Sequence, residues 1–110
     1  MTKTGNKKDD GKLPLGIVIQ RQFPSALKMI SEASLYGNRK YSDTDLDWLN
    51  CKRVENGKER YLNAMFRHAL DSGIDLTNKD PESGLMHIVH AVWNGLQLLE
   101  IIADEGEASK

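Results

Sequence analysis

The sequence contains a single cysteine, Cys51, among 110 residues. One thiol cannot form an intramolecular disulfide or a cysteine-based zinc cluster within one chain, so a reducing compartment is expected. Long apolar runs are also lacking, because Gln97 and Glu100 interrupt the most hydrophobic segment well before it reaches the length of a bilayer span. Met1 is followed by polar residues instead of the apolar stretch of a secretory signal. These absences predict a cytoplasmic protein.

No charge of one sign dominates the chain. Fifteen Lys and Arg residues face 16 Asp and Glu residues, which leaves a formal net charge of −1. A global field that attracts duplex nucleic acid or an anionic membrane is therefore not expected, although a local basic site remains open. The 39% hydrophobic fraction is enough for one core, and the length favours one domain.

The spacing of apolar residues predicts three helices, and no useful stretch shows the alternation of a strand. The first helix opens after Pro24-Ser25 and ends at Gly37-Asn38, the second covers about 59–71, and the third covers 80–102. The expected fold class is therefore a small all-α bundle. The apolar segment 13–19 contains Pro and Gly and leaves an extended segment and a short helix as alternatives.

The composition also divides the chain into three parts. Residues 1–12 are polar and lysine-rich and predict a flexible N-terminal arm, since they have little apolar surface to bury. Residues 13–103 form the helical domain, and residues 104–110 form an acidic C-terminal tail.

The third helix carries two faces at helical spacing. Its predicted core stripe consists of Leu85, Ile88, Val89, Val92, Leu96 and Leu99. Its second face consists of His87, His90, Ala91, Asn94, Leu98 and Ile101. A helix covered on two sides frequently buries one of them against a copy of itself, so a homo-oligomer is expected.

Polar side chains converge near the start of this helix. His87, His90 and Asn94 point inward, His68 lies on the inward stripe of the second helix, and the neighbouring Arg67 adds a cation. Buried imidazoles and amides need partners or a ligand. Any one of these histidines could instead be a hydrogen-bonded core residue, but their convergence favours a binding site.

Acidic and basic groups flank this set. Asp80 and Glu82 supply two carboxylates, and helix capping without chemistry is an equally weighted interpretation of them. Arg39 and Lys40 follow the first helix and can bind phosphate, or interact favourably with the helix C-terminus. Cys51 has no activating neighbour beyond two basic residues and is interpreted as non-catalytic.

Four strings together resemble a known family. They are KDDGK at 8–12, GNRKY at 37–41, YLNAMFRH at 61–68 and DPESGLMHIVHA at 80–91, with Asn94 after the last. This combination is similar to the small phage dATP/dGTP diphosphohydrolases, relatives of the MazG-like all-α nucleotide pyrophosphatases. The resemblance covers most of residues 7–102, and its specific part is DPESGLxHxxHA.

The resemblance implies an oligomeric all-α enzyme that uses Mg²⁺ or Mn²⁺ to cleave a purine deoxynucleoside triphosphate to monophosphate and pyrophosphate. Asp80 and Glu82 are then the catalytic residues and metal ligands. The nucleotide-binding residues are Lys40, Arg67, His68, His87, His90 and Asn94. The expected location is the cytoplasm of an infected bacterial cell.

Two alternatives to the enzyme remain. Ser25, Lys28 and Met29 stand where the family pattern has acidic residues, and Gly73-Ile74 stands where it has Gly-Glu. These differences favour a catalytically inactive phage sponge that sequesters a nucleotide immune signal. A helical interaction module without a small ligand leaves the polar face of the third helix unexplained.

Overall fold

The computed structural model describes residues 4–8, 10–41 and 46–108, and within them every regular element is helical. The helices are α1 (Leu15–Ile17), α2 (Pro24–Tyr41), α3 (Gly57–Ser72) and α4 (His87–Ala108), with a π-helical turn over Val18–Gln22 and a 3₁₀ turn over Asn50–Arg53. The all-α class is confirmed, and segment 13–19 adopts the short-helix alternative. None of the described helices has the length and apolar character needed to cross a bilayer.

The N-terminal arm lies outside the helices where it is described. Residues 4–8 and 10–12 are exposed, while residues 1–3 and 9 of the predicted arm lie outside the described part of the chain. The last two residues of the predicted acidic tail, 109 and 110, are likewise outside it.

Helix α2 runs one turn further than predicted. Its start at Pro24 fits, since proline suits the first helical position. The predicted stop at Gly37-Asn38 is wrong, because the helix continues through both residues to Tyr41. A glycine inside a helix costs only about 1 kcal/mol, which the packing of the helix offsets. The extra turn carries Lys40 to the site described below.

Helix α3 agrees with its prediction within two residues at each end. Gly73 follows the last helical residue with φ 63°, and its N–H donates to the Leu70 carbonyl at 3.1 Å. Only glycine adopts this backbone conformation without strain, so the residue type itself ends the helix.

Helix α4 starts seven residues later than predicted and ends six residues later. Residues 80–86 form a closed turn instead: the Asp80 N–H donates to the Leu85 carbonyl, and the Gly84 N–H donates to the Asp80 carbonyl, both at 2.8 Å. Gly84 has φ 76°, which a helix does not allow. Residues 104–107, predicted as a tail beyond the last helix, belong to α4.

Helix α4 is the central element, with α3 and α2 packed against it. A β-carbon at Gly95 of α4 would lie 3.4 Å from the Met65 sulfur of α3, so these helices approach closely there. On the other side, the Trp93 indole N–H donates to the Ser34 hydroxyl of α2 at 2.8 Å.

The buried face of α4 is the polar one. His87, His90 and Asn94 are buried, as predicted for the second face. The predicted core stripe holds for its first half, where Val89 is buried, but is wrong for its second half in the single chain, since Val92, Leu96 and Leu99 remain 47%, 39% and 62% exposed. Apolar periodicity identifies both faces, but it does not say which one packs on the chain's own helices.

Candidate functional site

Three imidazole rings meet between α3 and α4. The His68 ring stacks on the His90 ring with 4.7 Å between centroids and 22° between planes. The Nδ1 atoms of His68 and His87 lie 2.9 Å apart, which is a hydrogen bond with one shared proton. We call these three residues the histidine cluster. His87 and His90 are each only 8% exposed, so the predicted convergence is present in the structure.

The turn before α4 contacts the cluster through Ser83. The Ser83 Oγ lies 2.6 Å from the Nε2 of His90 and 3.1 Å from the Oδ2 of Asp80. The Leu85 N–H donates to the same Oγ at 3.1 Å. The Oδ1 of Asp80 accepts the Glu82 N–H at 3.2 Å. Asp80 is thus held by its own turn and, through Ser83, linked to His90.

An ion pair joins this turn to α2. The Lys40 Nζ lies 2.6 Å from Oε1 of Glu82, and it also lies 6.0 Å from the centre of the Tyr36 ring. The Tyr36 ring in turn makes an edge contact with His90, with 5.9 Å between centroids. Lys40 and Glu82, far apart in sequence, are therefore neighbours in the site.

Burial sets the protonation state of His68 and His90. Desolvation, followed by repulsion from His90 and Arg67, lowers the pKa of His68. Desolvation also lowers the pKa of His90, and it outweighs the attraction of Asp80. Both rings are therefore neutral at pH 7, and each can donate one hydrogen bond and accept another.

The two acids remain ionised. Burial by itself raises the pKa of Asp80, but hydrogen bonds from the Glu82 amide and the Ser83 hydroxyl bring it below the ordinary value. The hydrogen bond with the Lys40 ammonium, followed by one from Tyr36, lowers the pKa of Glu82. The same pairing with Glu82 raises the pKa of Lys40, so this pair is charged on both sides at neutral pH.

Asp80 and Glu82, the predicted ligands of a divalent cation, are both engaged with other groups in the single chain. Glu82 is paired with a lysine, and both Asp80 oxygens already accept hydrogen bonds. Among residues 4–8, 10–41 and 46–108, no group of three or more histidine, cysteine, aspartate or glutamate side chains is placed to hold a metal ion. Mg²⁺ typically needs carboxylate oxygens that are available for coordination.

The two remaining predicted residues have different surroundings. Arg67 is exposed beside His68, and within the described ranges its guanidinium makes no hydrogen bond or ion pair. Asn94 is buried, but its amide donates to the His90 carbonyl at 2.8 Å within the same helix. Arg67 is thus available to a ligand, whereas at least one Asn94 donor is already used.

Sequence reasoning missed Tyr36 and Ser83. Helical spacing places Tyr36 on the apolar face of the first helix, and only the extension of α2 brings Lys40 beside it, next to His90. A helix that starts at Asp80 leaves Ser83 in its first turn, where its hydroxyl has no role in the site. The signal for Ser83 is the Gly that follows it, since Ser-Gly after Asp-Pro is also a turn sequence.

Two cavities of the described residues lie away from the histidine cluster. One of about 300 Å³ lies between the start of α3 and the second half of α4, next to Tyr61 and Ile101. Another of about 630 Å³ is a shallow space beside Leu27 and Lys28 of α2. Neither is lined by a predicted site residue.

Comparison with curated proteins and with solved structures finds no match to this chain in either set. A family model does match, and it extends over residues 2–110, which include every residue of the site. That model is described as dATP/dGTP diphosphohydrolase, N-terminal. The chain therefore belongs to the family of dATP/dGTP diphosphohydrolase N-terminal regions.

Proposed function

We propose that this protein binds a purine nucleotide at the histidine cluster, in the cytoplasm of an infected bacterial cell. The observation that carries the proposal is the convergence of three imidazoles beside Arg67, of which His68 and His90 are neutral by desolvation. Neutral imidazoles stack on bases and exchange hydrogen bonds with sugars and bases. Arg67 offers a guanidinium suited to a phosphate.

Family membership supports the choice of ligand. The family's name refers to dATP and dGTP, and the match includes the DPESGLMHIVHA string that supplies Asp80, Ser83, His87 and His90. Lys40 is a second candidate for binding phosphate, because its ammonium pairs with Glu82 in the turn that precedes α4. Asp80 and Glu82 shape this turn through their hydrogen bonds.

Hydrolysis to monophosphate and pyrophosphate is a second candidate function, favoured by the family match. Mg²⁺ or Mn²⁺ remains the proposed cofactor of that reaction, although the arrangement of Asp80 and Glu82 in the single chain does not provide for it. The occupied carboxylates favour the inactive sponge, which would hold a nucleotide signal without turnover.

A second copy of the chain is the proposed partner of α4. The exposed Val92, Leu96 and Leu99 continue a heptad pattern that begins at Leu85 and Val89, and this 3.5-residue spacing is typical of a seam between two helices. A helix with such a seam is complementary to its own copy.

The dimensions of the chain agree with this partner. The radius of gyration is 18.0 Å, whereas a compact domain of this length has about 13 Å. The only buried apolar residues among those described are Ala33, Tyr61, Val89 and Ala91. Such a small core needs further apolar contacts to be stable.

Titration calorimetry with the four deoxynucleoside triphosphates tests the binding proposal. We expect dATP or dGTP to bind, and His87→Ala and His90→Ala each to weaken binding at least about tenfold, the equivalent of one lost hydrogen bond. Gln97→Ala, further along α4, is the matched control and should bind normally. Purine nucleotides that do not bind a folded, oligomeric protein would overturn the proposal.

Pyrophosphate release separates the two candidate functions. The purified protein is incubated with each bound nucleotide and Mg²⁺ or Mn²⁺, with a chelator as the control. Release of pyrophosphate supports the hydrolase, whereas binding without product rejects it and supports the sponge.

A further inference from the structure

The hydroxyl of Ser83 uses all of its hydrogen-bonding capacity. It has three polar neighbours: the Leu85 N–H at 3.1 Å, the Asp80 carboxylate at 3.1 Å and the His90 Nε2 at 2.6 Å. A hydroxyl carries one proton and two lone pairs, so three partners saturate it. The identity of each partner then fixes where every proton lies.

The proton assignment follows by elimination. The Leu85 N–H is a donor only, so it takes one lone pair of Oγ. The Asp80 carboxylate is ionised at neutral pH and is an acceptor only, so it takes the hydroxyl proton. One lone pair of Oγ remains for His90. The Nε2 of His90 must therefore be the protonated nitrogen, and it donates to Ser83.

The opposite assignment leaves two groups in conflict. If Ser83 donated to His90, its remaining lone pair would face the Oδ2 of Asp80 at 3.1 Å, with no proton between two oxygen acceptors. Burial makes such a contact costly, since the Asp80 side chain is only 15% exposed and water has little access to it.

We propose that Ser83 is a positioning residue that, held by Asp80, fixes His90 as the Nε2–H tautomer and leaves its Nδ1 as a hydrogen-bond acceptor for the bound nucleotide. The part that concerns the nucleotide rests on the proposed function. The acceptor selects ligand groups that donate, such as a sugar hydroxyl or an exocyclic amine of the base. The His68–His87 pair, in contrast, shares one proton between two Nδ1 atoms.

Nitrogen NMR of the histidine rings tests the tautomer without any ligand. In protein with ¹⁵N-labelled histidine at neutral pH, long-range correlation spectra distinguish protonated from unprotonated ring nitrogens, and a His90→Gln variant identifies the His90 signals. We expect a single Nε2–H form for His90. A wild-type His90 protonated at Nδ1 would overturn the proposal, and the measurement itself is made on the unaltered protein, since the variant serves only to assign the signals.

Ser83 variants test its role directly. Ser83→Ala should convert His90 to a mixture of tautomers, whereas Ser83→Thr, which retains the hydroxyl, should keep the Nε2–H form. Ser31→Ala, which removes an exposed helical hydroxyl that donates to the Leu27 carbonyl, is the control and should change nothing. An unchanged tautomer in Ser83→Ala overturns the proposal.

Nucleotide binding provides a separate readout. We expect Ser83→Ala to weaken purine nucleotide binding about tenfold and Ser83→Thr to bind normally. Unchanged binding in Ser83→Ala, despite an altered tautomer, would overturn the role toward the ligand. If the wild-type tautomer is as expected but no nucleotide binds, the proposed function fails and the positioning by Ser83 stands.

Discussion

His68 and His90 are desolvated and neutral in the folded protein at pH 7, so the free energy of unfolding depends on pH. In the unfolded chain both titrate near pH 6.5, whereas desolvation lowers both pKa values in the fold. As the pH falls through about 6.5, the unfolded state binds more protons, so the free energy of unfolding decreases. The decrease levels off below the folded pKa values.

Urea unfolding between about pH 8 and about pH 5 measures this effect. We expect a loss of stability over the acidic half of the range, and a smaller loss in His90→Gln, which cannot be protonated. A stability that stays constant or rises on acidification in the wild type contradicts the burial of neutral rings.

Arg67 is the residue whose removal should separate binding from folding. Its side chain is exposed and makes no ion pair with a described residue, so Arg67→Ala should leave the free energy of unfolding almost unchanged. If it contacts phosphate, nucleotide affinity should fall about tenfold or more, as for a charged hydrogen bond. Arg60→Ala, on α3 two turns before Arg67, is the control. Equal affinities of both variants would remove Arg67 from the site.

At the scale of the helices, two glycines have opposite roles. Gly37 lies inside α2, and a β-carbon added there would have no neighbouring atom within 4 Å, so Gly37→Ala should raise the free energy of unfolding by about 0.5–1 kcal/mol. Gly73 has φ 63° and ψ −144°, so Gly73→Ala should lower it by about 1–3 kcal/mol. Chemical denaturation of both variants measures the difference, and a stabilising Gly73→Ala would contradict the structure.

The same two glycines show how far helix ends can be predicted from the sequence. Both stand after an apolar helical pattern, and a glycine there predicts a stop. Only Gly73 ends its helix, because the turn after Gly37 is held in place by a contact with residues 80–84, through Lys40. Local sequence cannot contain this information, since the partner Glu82 lies more than forty residues away.

The predicted start of α4 was wrong for a related reason. Asp-Pro-Glu-Ser fits both a helix N-terminus and a tight turn. The structure has the turn, because Gly84 adopts a positive φ and the Asp80 N–H donates to the Leu85 carbonyl. The shared face of His87, His90 and Asn94 was nevertheless predictable, because their spacing is the same within any helix that begins at or before His87.

For the molecule as a whole, the exposed seam of α4 predicts association. Leu96→Glu places a charge in the centre of this seam, and we expect it to shift the wild-type oligomer to a monomer, as measured by light scattering during gel filtration. Ser25→Glu, at the exposed start of α2, adds the same charge and should remain oligomeric. A wild type that is monomeric at about 100 µM would rule out the second copy as partner.

A second copy on this seam would also explain why residues predicted to lie in the core are exposed. The apolar stripe of α4 was expected to be the core, and in the single chain its second half, Val92, Leu96 and Leu99, is exposed. The hydrophobic effect requires that the stripe be covered, but it does not specify which chain covers it. The polar face of His87, His90 and Asn94 is the one that the chain's own helices bury.

The contact between α2 and α4 provides an intrinsic reporter of the site. Trp93 follows His90 by three residues, its indole is tied to Ser34, and its ring touches Tyr61 edge-on with 5.8 Å between centroids. Its fluorescence emission should therefore respond to small shifts of α4 on nucleotide addition. With Trp48 replaced by phenylalanine, Trp93 would be the one remaining tryptophan, and its emission would follow nucleotide occupancy in real time.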